Sequence, residues 1–230
     1  MSRSALQIVQ DAAPKLGLNV PGALFSASGR TEVELRSVLN EVAERILKAH
    51  DWAALKVKAS NVGDGATTEY DLPSDFRRMP KDTQIWSSRW QRPLLPITVE
   101  DDLRLEVREY DQIVGTWLLI GGKIKYRPAL AADEIATWYY VSSHVVKTAS
   151  GTQERFTLDS DTFRLDDHVL ELALVSEWRY RKGLDYAEDM RSAELALAQV
   201  ISDDKGARII SQSSRRNVRA TPAYPWQITP

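Results

Sequence analysis

Residues 31–60 read TEVELRSVLNEVAERILKAHDWAALKVKAS, and the spacing of their apolar positions changes once along the way. Leu35, Val38, Leu39, Val42 and Ile46 recur every three or four residues, with Glu41, Glu44, Arg45 and Lys48 on other faces. That is the stripe of an amphipathic helix. Thr31 with Glu34 predicts a capping box at its start. The helix is expected to end near His50 or Asp51, with Trp52 as an anchor just beyond. From Lys56 the spacing becomes two: Lys56-Val-Lys-Ala-Ser60 alternates as a half-buried strand does.

The same two periods divide the rest of the chain. Upstream, Ser4 with Gln7 predicts a capping box for a first helix that Pro14 and Gly17 close or kink. Downstream, strands are expected at Thr68–Leu72, Gln84–Ser88, Leu94–Ile97 and Glu134–Ser142, with a glycine-bearing turn at Asn61–Ala66. Thr116–Ile120, Gly121-Gly122 and Lys123–Tyr126 predict a hairpin, because Gly-Gly suits a two-residue primed turn. A short helix over Thr98–Arg108 is expected, with Thr98 as cap and Leu103 and Val107 one turn apart. At Asp166 or Asp167 the helical period returns through Val169, Leu170, Ala173, Leu174 and Trp178. Lys182-Gly183 breaks it, and a last helix over Leu184–Ile201 carries Tyr186, Met190, Ala193, Leu197 and Val200.

Amphipathic helices at both ends bury their stripes against each other. The expected fold class is α+β: a helical bundle from residues 1–55 and 166–203, with residues 56–165 inserted as a sandwich- or barrel-like domain of about six antiparallel strands. Residues 204–230 are expected to form an extended C-terminal arm. The last twenty-six residues, Lys205–Pro230, hold Lys205, Arg208, Arg215, Arg216 and Arg219 and no acid. Pro222, Pro225 and Pro230 oppose helix and sheet alike. Yet Ile209, Ile210, Val218, Tyr224, Trp226 and Ile228 remain, which a purely solvating tail does not need. The stretch reads as an arm that orders on another protein.

The net charge of −2 divides into +5 on that tail and −7 on the remainder, so the whole molecule does not read as a polyanion binder. With no cysteine the chain has neither disulfides nor thiolate metal sites. Its first residues meet Asp11 early and do not read as a signal peptide, and no apolar run approaches the roughly 20 residues of a membrane span.

Signals for chemistry are sparse. Gly121-Gly122-Lys123 lacks the spacing of a phosphate loop and lies between strands. His50, His144 and His168 share no ligand spacing and read as helix-end or surface residues. Asp166-Asp167-His168 reads as a helix cap. The acidic pairs Asp101-Asp102 and Asp203-Asp204 read as solvated surface. Trp52, Trp117, Trp138 and Trp178 occupy apolar positions of predicted elements, whereas Trp86, Trp90 and Trp226 are candidates to face a partner. No cofactor, metal or catalytic residue is expected.

The order of these signals resembles the head–tail adaptor proteins of tailed bacteriophages, the tail tubular protein A group and related connectors. The resemblance rests on an N-terminal helix leading to Leu16-Gly17-Leu18 and a second ending in Asp51-Trp52. Tyr70-Asp-Leu-Pro-Ser-Asp-Phe76 follows, then Gly122-Lys-Ile-Lys-Tyr-Arg-Pro-Ala-Leu-Ala-Ala-Asp-Glu134 before the strand Trp138-Tyr-Tyr-Val141. In the Leu72–Phe76 segment Pro73 ends a strand, Asp75 is expected to cap the next turn and Phe76 to tuck into the core. The matching order spans about residues 4–203; the long basic tail departs from it.

The resemblance implies a structural, non-catalytic protein of the virion head–tail junction, assembled in the host cytoplasm. It implies a ring matching the twelve-fold portal, extending the DNA channel without sequence-specific DNA contacts and docking downstream tail proteins, with no membrane partner. On that reading Arg208, Ile209, Ile210, Arg215, Arg216, Arg219, Tyr224 and Trp226 meet the portal, and Trp86 and Trp90 face the tail. Two other classes stand beside it: a tail-associated peptidoglycan hydrolase, which needs a cleft with paired carboxylates, and a β-sandwich that binds a glycan or receptor through Trp86, Trp90 and Trp117. A nucleic-acid module using the arginine-rich tail is opposed by the acidic remainder.

Overall fold

The computed structural model describes residues 2–81, 83–107 and 115–205. Its helices are α1 (Ala5–Lys15), α2 (Arg30–Ala49), α3 (Val99–Val107), α4 (Asp167–Arg181) and α5 (Ala187–Asp204). The first strands are β1 (Lys56–Val62), β2 (Glu69–Asp71), β3 (Phe76–Arg78), β4 (Ile85–Ser87) and β5 (Arg92–Pro96). After α3 come β6 (Thr116–Ile120), β7 (Lys123–Arg127), β8 (Ile135–Ser142), β9 (Val146–Thr148), β10 (Gly151–Gln153) and β11 (Thr162–Phe163). The α+β class read from the sequence is the class observed.

Two cores form. In the first, α4 is the central helix and α1, α2 and α5 all pack on it. Leu35, Val38, Leu39, Val42 and Ile46, the α2 stripe, are all buried there, and Trp52 donates its indole N–H to Ile46 O at 2.9 Å. The Ser4–Gln7 capping box is present, and Gly17 (φ +67°) closes α1. Asp166 caps α4, accepting from Val169 N at 2.8 Å. The small sheet β10-β9-β11 joins this core through Val146 and Phe163, and the loop between β10 and β11 adds Phe156. Asn40 of α2 holds it by both faces of its amide, accepting from Phe156 N (2.8 Å) and donating to Phe156 O (3.3 Å). The segment 56–165 thus contributes to both cores.

The second core lies inside a strongly curved sheet ordered β1-β8-β4-β5-β6-β7-β2, with β3 also on β8. Its wall surrounds Ile85, Leu94, Trp117, Ile124, Tyr126 and Trp138. Asn61 of β1 ties across the interior: its Oδ1 accepts from Tyr126 Oη of β7 (2.9 Å) and Trp138 Nε1 of β8 (3.0 Å). β8 serves both cores, since Trp138 and Tyr140 face the barrel while Val141 enters the helical core.

Several expectations are corrected. α2 starts at Arg30 after Gly29, not at a Thr31 box, because Glu34 is engaged by Arg30 and by Lys182 of α4. The segment read as a turn between β1 and β2 joins strands with different partners: β1 pairs β8 and β2 pairs β7. Gly63 crosses between them with its backbone against Ala131 O, where a Cβ would approach to 2.2 Å. β5 and β6 run parallel rather than antiparallel; α3 lies in their connection and supplies the crossover that parallel pairing requires. Asp75 accepts from Tyr140 Oη at 2.7 Å instead of capping a turn, while Phe76 packs on Trp138 and Tyr140 as expected. The hairpin is as read, with Gly121 and Gly122 both in the left-handed region that its turn demands (φ +58° and +76°). The last helix begins at Ala187, and of its expected stripe only Ala193 is fully buried.

Two acids sit on α4 inside the bundle. Glu171 meets Arg3 and Lys15, each at 2.6 Å, and Glu177 meets Arg45 and Arg181, each at 2.9 Å. Burial pushes both carboxyls up, but the paired cations more than offset it and hold each below its ordinary 4.5. Stabilisation from these pairs is therefore complete above pH 4.5 and is lost as pH falls through the lower folded-state values. Urea unfolding of Glu171→Gln at pH 7 is expected to show a loss of about 1–3 kcal/mol, and a smaller further loss in acid than the parent shows. Residues 1–55 alone are expected to lack the helical circular dichroism of the intact chain, since α1 and α2 pack on α4.

Candidate assembly surfaces

The arm residues Arg208, Ile209, Ile210, Arg215, Arg216, Arg219, Tyr224 and Trp226 lie outside the described residues. Trp86 and Trp90 are described, and the fold separates them. Trp86 is the middle residue of β4, opposite Thr137 of β8 and Pro93 of β5. Alternation turns its neighbours Ile85 and Ser87 inward and leaves Trp86 42 % exposed on the outer face. Trp90 instead packs half-buried against the barrel core. The Arg89 and Arg92 guanidinium carbons lie 5.0 and 5.6 Å from its ring centroid. Trp117, offered to a glycan on the binding-module reading, is buried.

Trp86 is part of a larger surface. In β1 and β8 the opposed pairs Lys58–Tyr139, Ser60–Thr137 and Val62–Ile135 share the outer face, and Thr137 opposes Trp86. Leu95 lies two residues beyond Pro93 on the same face. Val62, Leu95, Ile135 and Tyr139 are all exposed. The signal for this surface is present in Ile135-Ala-Thr-Trp-Tyr-Tyr-Val141, which is apolar at both parities. Such a strand has apolar groups for two faces, and one barrel core covers only one.

Helix α3 is tied to the outer face of β7 through a charge. Asp102 is buried and accepts from Lys125 Nζ at 2.7 Å and Arg127 Nε at 2.8 Å. Asp101 meanwhile bonds Thr98, which caps the helix as expected. The expected solvated Asp101-Asp102 pair is thus corrected: Asp102 anchors the helix. Its side chain turns inward, so Val99, Leu103 and Val107 turn outward at 55, 61 and 78 % exposure. Burial pushes the Asp102 carboxyl up, yet Lys125 and Arg127 hold it below its ordinary 3.8. The docking is expected to weaken only as pH falls below that value.

The other acids inside the fold are also engaged structurally. Glu134 accepts from Ser87 Oγ and from Ala131 N at 2.9 Å, and Asp161 accepts from Thr157 N and Leu158 N, each at 2.8 Å. Asp204, of the second acidic pair, accepts from Ala53 N at 3.0 Å and lies 3.2 Å from His50 Nε2. Asp167 accepts from Arg3 N at 2.7 Å, so of Asp166-Asp167-His168 the first caps α4, the second ties down the N-terminal residues and the third is exposed. Among the described residues no group of three or more His, Asp or Glu side chains is arranged to hold a metal ion. No helix of these residues is long and apolar enough to cross a membrane. No protein-family model matches the chain, and no curated protein shows significant similarity to it.

Trp86→Ala is expected to change unfolding free energy by less than about 1 kcal/mol, whereas Trp138→Ala in the barrel core costs about 3–5 kcal/mol. Asp102→Asn is expected to raise amide hydrogen exchange in α3 about tenfold or more, equivalent to about 1–3 kcal/mol, while β8 amides stay protected.

Proposed function

We propose that this chain is a structural assembly subunit, a head–tail adaptor of a tailed bacteriophage that sits beneath the portal and offers a platform to tail components. One observation carries the reading: among the described residues the barrel has an apolar outer face and an apolar helix stripe that nothing covers, which a solitary soluble protein seldom shows. The order of elements, two helices, then the sheet, then two helices that return to the first core, agrees with the order of signals on which the resemblance rests. In this reading the basic, proline-rich arm meets the portal. Arginine forks suit carboxylates there, and Tyr224 and Trp226 serve as apolar anchors.

The carboxyl chemistry supports this reading over the hydrolase. A glycosidase acid needs a raised pKa so that it holds a proton at neutral pH. Every shifted carboxyl among the described residues, from Glu34 to Glu177, is instead moved down.

Electron microscopy of the protein mixed with emptied phage heads is the direct test, and added ring density at the portal vertex is the expected result. Deleting residues 212–230 is expected to leave circular dichroism unchanged and abolish attachment. In light scattering without heads, the protein is expected to run as a monomer or small oligomer. Unadorned heads, or muropeptide release from purified cell wall, would replace the adaptor reading.

A further inference from the structure

Two apolar faces of the barrel are left uncovered by the described residues. One spans β1, β8, β4 and β5 and exposes Val62, Trp86, Leu95, Ile135 and Tyr139. The other is the Val99–Leu103–Val107 stripe of α3, which is anchored on β7 through Asp102. In the wall, β6 is three strands along from β8 and β7 three along from β4. Their edges adjoin, since Leu95 of β5 pairs with Thr116 of β6, but Trp86 on β4 and the Asp102 anchor on β7 lie three strands apart around the curved wall, so the centres of the two faces look in different directions.

Their charges are opposite. β1, β8, β4 and β5 carry Lys56, Lys58 and Arg92 and no acid. Lys56 and Lys58 make no ion pair among the described residues. Of the α3 acids, Asp102 is buried against Lys125 and Arg127 and Asp101 lies 3.7 Å from Arg104, which leaves Glu100 and the exposed Glu106, 3.7 Å from Arg127, as the acids presented beside the stripe. Helical geometry sets Glu100 and Glu106 along the two borders of its apolar stripe. A symmetric contact of sheet face on sheet face would set lysines against lysines, and one of α3 on α3 would set acids against acids. A sheet face against an α3 stripe matches both apolar area and charge.

We infer that the outer sheet face of one copy receives the α3 stripe of the next, a head-to-tail contact between identical chains. Each copy then has one donor face and one acceptor face, and such a heterologous contact repeats into a closed ring or an open filament according to the rotation it sets. Ring closure at the portal rests on the adaptor reading; the pairwise contact does not. The contact is weak enough between free chains to be transient, and Lys58 and Glu106 set its register.

The cysteine-free chain makes this directly testable. Full-length Leu103→Cys and Tyr139→Cys proteins are mixed without phage heads and mildly oxidised. The expected product is the mixed disulfide dimer, in about tenfold excess over either homodimer, a difference of about 1.4 kcal/mol. The double variant, L103C with Y139C in one chain, is expected to give a ladder of larger species. Adding Lys58→Glu to the Tyr139→Cys chain is expected to suppress the mixed dimer, and Glu106→Lys in its partner to restore it. Predominant Tyr139→Cys homodimer would assign the face to a two-fold contact and overturn the inference. Cross-linking no greater than that of Ser202→Cys with Tyr139→Cys would also overturn it. So would Lys58-dependent binding of a labelled single-stranded oligonucleotide without a ladder, which would give the face to nucleic acid. A ladder from a protein that leaves emptied heads bare would uphold the contact while refuting the adaptor reading.

Discussion

Helix α4 is the element on which the rest of the helical body depends. It is approached by α1, α2 and α5, so residues around most of its circumference are removed from water. Leu170, Leu174 and Trp178 fill the contacts, and their loss would leave three helices without a common partner. A helix so covered still carries Glu171 and Glu177. Each is held by two cations, from α1 and its leading residues in one case and from α2 and α4 itself in the other. A buried carboxylate without its cations is strongly destabilising, so these groups specify how the helices meet more than they add to the total stability.

The barrel has a comparable tie in Asn61. One side-chain oxygen receives a phenol hydroxyl from β7 and an indole N–H from β8, so strands at opposite ends of the sheet order are fixed to one point. Buried Tyr and Trp each need a partner for their polar atom, and Asn61 satisfies both at once. β8 then joins barrel to bundle, with Trp138 on one side and Val141 on the other.

Local pattern made much of this legible. The α2 stripe, the Ser4 and Asp166 caps and the Gly121-Gly122 turn are decided by residues within a few positions of one another, and they appear where the periods place them. What depended on distant partners was hidden. Nothing near β1 says that it pairs with β8 rather than β2. α3 was readable as a helix, but its facing was not: Leu103 and Val107 look like a core stripe until Lys125 and Arg127 claim Asp102. β9, β10 and β11 are two or three residues long, too short for alternation to show. Of the candidate contact residues, Trp86 is exposed, whereas Trp90 is half-buried against the barrel core beside Arg89 and Arg92. The exposed row of Val62, Ile135 and Tyr139 went unread, since apolar alternation in a strand says which residues share a face and not which face is covered.

The distance along the chain between α2 and α4 has a consequence for synthesis. The apolar stripe of α2 is complete by residue 49, yet the helix that buries it begins at residue 167. At ribosomal speeds of about 5–20 residues per second, that interval is on the order of ten seconds. The barrel segment emerges in between and can close on its own core while the first helices wait unsheltered. A nascent chain of this design presents its most adhesive surface early and hides it late, which makes its yield in the cell a matter of chaperone occupancy over that interval.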